Sequence, residues 1–416
     1  MRTRQRFFAL PPLVGDIPAS LQGPWQPHRE EFDTTEIQGT LGTWPRDLEG
    51  SVFWLSATPL EAYVDDPDVC VTSAFVTALT IARNRVTRQR GAFVVTKAVS
   101  DVLGVTPLRD RIDVASRGGC DYLMLGAQRL LVGGVDGLPY LLRPSLETVG
   151  VETFDGALTR PSSERWLRDD SRGWIYLVAH DKTGGAEVLA YNPMSNAILA
   201  RRLDERLSRP FHLALNEERL CVIGANYLQF FDRDLAAPGG DLIPVADLAI
   251  ERILSARETD AGFEISVVRR RRNGLKLATI TINTVTCRVA KISDHRFSSV
   301  SDLSVDARSG ARRVIGVEAH DDDEAVVLSC VDLDLGSIEQ RRLPVGVLAG
   351  QVVMATGSRS VQPYVIVPTN RLDGHHPELL LLDAQHIGAP EIASLQLTHH
   401  VPLDGQGLFI PSTQLR

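Results

Sequence analysis

The stretch Phe263-Glu-Ile-Ser-Val-Val-Arg-Arg-Arg-Arg-Asn-Gly-Leu-Lys-Leu-Ala-Thr-Ile-Thr-Ile282 is typical of two strands joined by a tight turn. The runs on both sides are rich in β-branched residues, which pack well on a pleated surface. Asn273-Gly274 between them is a strong hairpin signal, because a type I′ turn requires positive φ at its central residues. The stretch therefore predicts a β-hairpin, and its basic run Arg269–Arg272 is expected to be a solvated hairpin tip.

The same pattern recurs along the chain. Short apolar or β-branched runs such as Ser51–Ser56, Trp174–His180 and Glu378–Asp383 alternate with turn residues, and no long segment has helical periodicity. Roughly twenty such runs are too many for a single sandwich, so the sequence favours an all-β β-propeller in one domain. There is no strict repeat of the WD or kelch kind, which indicates divergent blades.

We predict an N-terminal extension over residues 1–35 and a propeller domain over residues 36–416, because no Pro/Ser-rich linker divides the chain. The apolar run near the N-terminus is broken by Pro11 and Pro12, too early for the hydrophobic region of a signal peptide. No stretch approaches about 18 uninterrupted apolar residues, so a membrane-spanning helix is not expected.

Charge and cysteine content narrow the function further. The formal net charge of −8 argues against a nucleic-acid surface, which requires a basic face. The five cysteines lie far apart, and none stands at the spacing of a zinc site. We therefore expect free thiols in a reduced, cytoplasmic setting.

Both ends of the chain resemble the carotenoid cleavage oxygenase family. Leu41-Gly-Thr-Trp-Pro-Arg-Asp-Leu-Glu-Gly50 is similar to the family's opening G-x-x-P-x-x-L-x-G. Leu397-Thr-His-His-Val-Pro-Leu-Asp-Gly-Gln-Gly407 resembles its closing motif, and Leu146–Gly156 is similar to a central one. The resemblance implies a seven-bladed propeller that carries a non-haem iron on its axis.

In that family four histidines bind Fe(II) and glutamates orient three of them. The matching positions here hold one histidine only: Arg160, His212, Arg252 and Gln406. The glutamate positions match Val135, Gln351 and Ser301. One imidazole cannot hold Fe(II), and a guanidinium is a poor metal ligand. We therefore predict that iron and other cofactors are absent.

The resemblance places these four residues on the propeller axis, where they suggest a different chemistry. The forks of Arg160 and Arg252 match carboxylate or phosphate oxygens. His212 is the candidate catalytic residue because it can move protons near neutral pH, and Gln406 can donate to a substrate oxygen. Glu258 is included as a binding-site residue. The structural alternative is that the arginines pair with buried carboxylates such as Glu258, and that His212 is a hydrogen-bonded core residue.

The predicted function is a metal-independent enzyme of specialised metabolism. It would transform a small, largely apolar substrate by isomerisation, cyclisation or elimination. A non-catalytic binding protein for a lipophilic compound is one alternative. Another is an Fe(II)-dependent, alkene-cleaving dioxygenase with substitute ligands, for which the sequence offers His180, His295 and His320. Peripheral membrane contact is a further expectation, and the sequence does not indicate the oligomeric state.

The adjacent histidines His399 and His400 lie inside the closing motif. We predict that they belong to the closing strand, where neighbouring side chains point to opposite faces. The two rings are therefore not expected to act as a unit.

Overall fold

The computed structural model describes most of the chain. The described residues are 8–12, 22, 26–60, 72–104, 122–126, 129–133, 138–154, 156, 158, 162–169, 171–180, 185–207, 212–215, 218–224, 226–237, 239–240, 242–245, 248–259, 262–272, 274–283, 288–295, 302–306, 313–320, 325–357, 362–372, 377–403 and 406–415. Of the residues expected at the axis, Arg160 lies outside this set.

The described strands form seven antiparallel sheets, which are the blades of a propeller. Blade 1 contains both ends of the chain and runs outward through β31 (Gln406–Pro411), β3 (Gly50–Pro59), β4 (Thr72–Ala82), β5 (Arg85–Phe93) and β1 (Phe32–Thr34). Blade 2 consists of β6 (Tyr122–Gly126), β7 (Arg129–Gly133), β8 (Tyr140–Leu142) and β9 (Thr148–Val151). Blade 3 consists of β10 (Ser162–Asp169), β11 (Trp174–His180), β12 (Ala186–Asn192) and β13 (Ala197–Arg202).

The next three blades repeat the four-stranded pattern. Blade 4 is β14 (His212–Leu215), β15 (Arg219–Ile223), β16 (Tyr227–Asp232) and β17 (Leu242–Pro244). Blade 5 is β18 (Ile250–Thr259), β19 (Gly262–Arg271), β20 (Gly274–Asn283) and β21 (Arg288–Asp294). Blade 6 is β22 (Asp302–Asp306), β23 (Arg313–His320), β24 (Ala325–Asp332) and β25 (Ile338–Arg342).

Blade 7 completes the circle. It is formed by β27 (Val353–Thr356), β28 (Pro363–Arg371), β29 (Glu378–Asp383), β30 (Ala393–Gln396) and β2 (Gln38–Gly42), and β26 (Val347–Ala349) also pairs with β28. The N-terminal part of the chain thus supplies the outer strand of blade 7, and the C-terminal strand supplies the inner strand of blade 1. This double closure leaves no open seam between the first and last blades.

The predicted seven-bladed, all-β fold is confirmed. The seven inner strands contact one another in the order β6, β10, β14, β18, β22, β27, β31 and back to β6. The one α-helix in the described residues is α1 (Lys97–Leu103), which is capped by the Thr96 side chain. In that part of the chain, no helix is long and apolar enough to cross a membrane.

The hydrophobic core lies between the blades. Because successive side chains of a strand point to opposite faces, each strand contributes to two junctions. In β15, Leu220 and Val222 face blade 3, whereas Cys221 and Ile223 face blade 5. The other junctions among the described residues are filled in the same way. This face-to-face packing explains why the strands are apolar on both faces.

The hairpin predicted over residues 263–282 is confirmed, with two differences. Strand pairing closes at Arg271 and Gly274, so the tight turn comes one residue earlier than the sequence suggests, and Asn273 lies outside the described residues. Arg269 is 1% exposed, and its guanidinium binds the Asp294 carboxylate at 2.6–2.8 Å. The expectation of a solvated basic tip is therefore wrong for Arg269, whereas Arg270, Arg271 and Arg272 are exposed.

The strand β1 lies inside the predicted N-terminal extension and pairs with β5 of blade 1. The boundary at residue 35 itself stays a prediction. The two described cysteines, Cys221 and Cys330, are free thiols in buried positions. Burial raises the pKa of both thiols, most strongly that of Cys221.

Candidate functional site

The chain path fixes where the inner strands begin. Each blade consists of four main strands that alternate in direction. The fourth strand therefore ends on the same side of the propeller as the one on which the first, inner strand of that blade begins. The next inner strand therefore starts at that same end. We call it the leading end of the propeller. Residues at or just before the start of the seven inner strands lie near this end, around the axis.

Two of the predicted site residues stand directly at these starts. His212 is the first residue of β14, and Gln406 is the first residue of β31. Both side chains are partly buried. The sequence thus places one imidazole and one primary amide on two inner strands at the leading end.

The start of β31 is supported by the buried side chain of Gln351, which precedes β27 of blade 7. The backbone N–H of Gly407 donates to Gln351 Oε1 at 2.6 Å, and Trp54 Nε1 donates to the Gln351 carbonyl at 3.4 Å. The sequence matched Gln351 to a glutamate that orients a metal-bound histidine. Here its amide instead fixes the backbone beside Gln406.

Glycine is required at position 407. A Cβ atom there would lie 2.2 Å from Val353 Cγ2 and 3.0 Å from Trp54 Nε1. The close approach of β31 to blade 7 therefore depends on the missing side chain. Gln351, Gly407 and Trp54 together fix the inner strand that carries Gln406.

The two arginines are located by the backbone alone. Arg252 is the third residue of β18, near the leading end, and pairs with Val268. Arg160 lies outside the described residues, two positions before β10 begins.

Glu258 does not share the leading end with Arg252. It pairs with Phe263, six residues further along β18, which is roughly 20 Å in an extended strand. The backbone therefore places these two residues at opposite ends of β18. We leave Glu258 out of the proposed site for this reason.

The residues at the four matched positions are not the four-imidazole donor set of the family's Fe(II) site. Two of the matched positions, His212 and Gln406, begin described inner strands and carry an imidazole and an amide, and the other two matched positions hold arginines. Within the described ranges, no group of three or more His, Cys, Asp or Glu side chains could hold a metal ion. This donor set does not fit a four-histidine iron site.

The substitute ligands suggested by the sequence are spread over three blades. His180 and His320 end the second strands of blades 3 and 6, at the leading end but one strand away from the axis. His295 follows β21, the outermost strand of blade 5, and its ring nitrogen lies 2.8 Å from Thr279 Oγ1. His295 is therefore away from the axial strands.

Comparison with known proteins supports the same architecture. No protein-family model and no curated protein matches the chain. A Synechocystis ACO variant superposes with a TM-score of 0.76 at 17% identity, covering 94% of this chain and 98% of the other. Cobalt-substituted Synechocystis ACO gives 0.74 at 18% identity, with coverage of 94% and 98%. A crystal structure of an ACO/RPE65 chimera gives 0.72 at 17% identity, with coverage of 94% and 98%.

The chain therefore has the seven-bladed fold of these apocarotenoid oxygenase structures over nearly its whole length. The resemblance to the carotenoid cleavage oxygenases is confirmed at the level of the fold. At 17–18% identity the likeness carries no information about substrate or reaction.

The sequence missed a cluster of three histidines at the edge of blade 1. His399 and His400 precede β31 and lie outside any strand, so their assignment to the closing strand is wrong. Both rings contact the N-terminal segment: His399 stacks on Phe32, and His400 stacks on His28. The sequence did contain a histidine pair next to a strand end, but His28, the partner of His400, is 372 positions away in the sequence.

Proposed function

We propose that the chain is an enzyme that transforms a small, largely apolar substrate at the leading end of the axis without a metal ion. The observation that carries this proposal is the composition of the axial positions. The four positions that the resemblance matches to histidines hold an imidazole, an amide and two guanidinium groups in this sequence, and His212 and Gln406 begin two of the inner strands. Such a set suits proton transfer and anion binding better than metal binding.

Each residue has a proposed role. His212 transfers a proton to or from the substrate, since an imidazole changes charge near neutral pH. Arg160 and Arg252 hold a carboxylate or phosphate on the substrate in bidentate contacts. Gln406 donates to a substrate oxygen. Its backbone is held in place because the N–H of the neighbouring Gly407 donates to Gln351 Oε1.

These roles are consistent with isomerisation, cyclisation or elimination, which need positioning and proton transfer but no redox cofactor. A place in specialised metabolism and a reduced, cytoplasmic setting complete the proposal. The free, buried thiols of Cys221 and Cys330 support the reduced setting. Peripheral membrane contact and the oligomeric state stay predictions.

The experiment begins with the small molecules that co-purify with the protein, identified by native mass spectrometry. Turnover is then measured on those compounds and on related apolar carboxylic acids and phosphates. We expect His212→Gln to lower kcat about 100-fold with little change in binding. Arg160→Gln and Arg252→Gln are expected to weaken binding of the anionic substrates. The exposed residues His386 and Arg143 provide matched controls as His386→Gln and Arg143→Gln.

Three outcomes would contradict the proposal. Unchanged turnover in the His212 variant would remove its catalytic role. Tight binding without conversion of any compound would indicate a lipophile-binding protein. Stoichiometric iron in the purified protein, with activity lost on chelation, would establish a metal-dependent oxygenase.

A further inference from the structure

The N-terminal segment forms a strap across the outside of blade 1. We call residues 8–12 and 26–34 the N-terminal strap. Its two parts pair with each other, since Leu10 N donates to Arg29 O at 2.8 Å and Glu31 N donates to Phe8 O at 2.9 Å. Residues Phe32–Thr34 then pair with β5. The strap is therefore an added layer of backbone held on the edge of a complete blade.

The underside of the strap covers an aromatic surface of the blade. Leu10 and Phe32 of the strap pack with Phe75, Phe93 and Leu60 in one buried cluster. The fit is close, because a Cβ atom on Gly91 would lie 2.4 Å from the Phe32 ring. Removing the strap would expose this apolar surface to water.

Histidines connect the strap to the loop that leads into the closing strand. The ring of His28 is 7% exposed and stacks on the ring of His400 with centroids 4.3 Å apart. His28 Nε2 lies 2.8 Å from the His400 carbonyl oxygen, and His400 Nε2 lies 2.7 Å from the Gln26 carbonyl oxygen. His399 stacks on Phe32 at 3.9 Å. One ring of the strap thus bonds to the backbone of the loop, and one ring of the loop bonds to the backbone of the strap.

This arrangement suits neutral rings. Carbonyl oxygens only accept, so each Nε2 in these bonds carries its hydrogen while the other ring nitrogen needs none. Two stacked imidazoles that both gain a proton would place like charges about 4 Å apart. A buried charge at His28 would also lose its hydration.

We propose that the N-terminal strap is a pH-dependent latch, closed by the neutral histidines His28, His399 and His400 and released from blade 1 when they take up protons. The inference does not depend on the function proposed above. It assigns a conformational role to residues outside the proposed site.

The groups around His28 agree with this role. Burial, followed by the charge of His400, lowers the pKa of His28 to about 3. Burial also lowers the pKa of His400 and His399. From β5, the neutral side chain of Gln89 bonds to the His399 backbone.

The nearby acids of the strap are engaged elsewhere. The Glu31 carboxylate accepts from the backbone of Phe8 and Phe93, and Asp33 pairs with Arg88 of β5. No carboxylate is among the groups that shift the pKa of His28, so none offsets its protonation.

The direction of the pH effect follows. A histidine with a pKa of 6.5 when exposed and about 3 when latched favours the closed strap fully above pH 6.5 and progressively less below it. Between pH 7 and pH 5, the opening equilibrium should rise about 25-fold from His28 alone. His399 and His400 add to this in the same direction, whereas Glu31, whose pKa is raised by burial, acts in the opposite direction.

Hydrogen exchange measured by mass spectrometry tests the latch in the full-length protein. We expect protection of peptides within residues 26–34 to fall about 25-fold between pH 7 and pH 5, after correction for intrinsic exchange rates. Peptides from β15 and β16 serve as the internal reference. In His28→Phe, which retains an aromatic ring but no titrating group, the pH effect should shrink to about fivefold or less. The exposed His386 gives the control His386→Phe, which should behave as wild type.

Two results would overturn the latch. One is protection of the strap that does not change between pH 7 and pH 5 in the wild-type protein. The other is an unchanged pH effect in His28→Phe. If that variant already releases the strap at pH 7, the wild-type His28 ring is titrated by NMR instead. We expect this ring to titrate below pH 5. A pKa near 6.5 would refute the proposal.

Discussion

The junction that closes the propeller and the junction between blades 3 and 4 are both apolar, but their polar groups differ. Where blade 7 meets blade 1, Trp44 and Trp54 are almost fully buried, and the neutral amide of Gln351 is buried beside them. Where blade 3 meets blade 4, the apolar cluster is accompanied by a buried ion pair between Arg233 and Asp169. The closing junction thus depends on shape, and the other depends on charge.

The ion pair shows what a buried charge requires. Asp169 is 2% exposed and accepts from Arg233 Nε at 3.0 Å, from Ser171 Oγ at 2.6 Å and from two backbone N–H groups. The Tyr176 hydroxyl donates to the Arg233 carbonyl at 2.5 Å. A charge in this position is stable only with this full set of partners. The junction between blades 7 and 1 uses an uncharged amide and therefore does not need the many polar partners that a buried charge requires.

The largest effect should come from removing the carboxylate at the charged junction. We expect Asp169→Ala to lower the free energy of unfolding by about 3–5 kcal/mol, because it leaves the buried Arg233 without its counter-charge. Chemical denaturation measures the loss. The exposed pair Arg143–Glu147 is the matched control, and Glu147→Ala should cost less than about 1 kcal/mol. Equal losses in the two variants would contradict the distinction between the junctions.

Asp169→Ala should also change how the free energy of unfolding depends on pH in acid. Burial alone would raise the pKa of Asp169, but hydrogen bonds from Ser171 and Arg233 outweigh it and lower the pKa. A carboxyl group with a lowered pKa contributes stability above its usual titration range and loses it as the pH falls further. The difference between wild type and Asp169→Ala should therefore shrink below about pH 4.

The shape of the closing junction is tested at Gly407. We expect Gly407→Ala to cost about 2–3 kcal/mol, since the new methyl group would overlap Val353 and force the two strands apart. Thermal or chemical unfolding measures this. Gly240 is the control because a Cβ atom there would meet only Phe230 O at 3.5 Å, so Gly240→Ala should change stability by less than about 0.5 kcal/mol. A silent Gly407 variant would show that closure tolerates looser packing.

Much of the fold could be predicted from the sequence because local patterns carry it. The hairpin at residues 263–282, the repeated apolar runs and the terminal motifs are each readable within a short window. The exact turn position and the burial of Arg269 were not readable, since they depend on the pairing of β19 and on Asp294 of β21.

The site was less predictable, because it is assembled from distant parts of the chain. The sequence placed His212 and Gln406 on inner strands through their motifs. It could not show that Gln351 binds the backbone of Gly407, or that His28 stacks on His400. These contacts join residues that are 56 and 372 positions apart in the sequence. It also grouped Glu258 with Arg252, although the strand separates them.

The smallest effect, and the one that links the closing junction to the candidate site, should come from Gln351. Gln351→Leu retains the size of the side chain but removes the acceptor of the Gly407 N–H, so we expect a loss of about 1–2 kcal/mol in unfolding free energy. Gln385→Leu, at an exposed glutamine that follows β29, is the control and should be nearly neutral. Because Gln406 adjoins Gly407, the Gln351 variant should also lower kcat for the proposed reaction, even where the protein is fully folded. A variant that loses stability but keeps wild-type kcat would show that the amide serves closure alone.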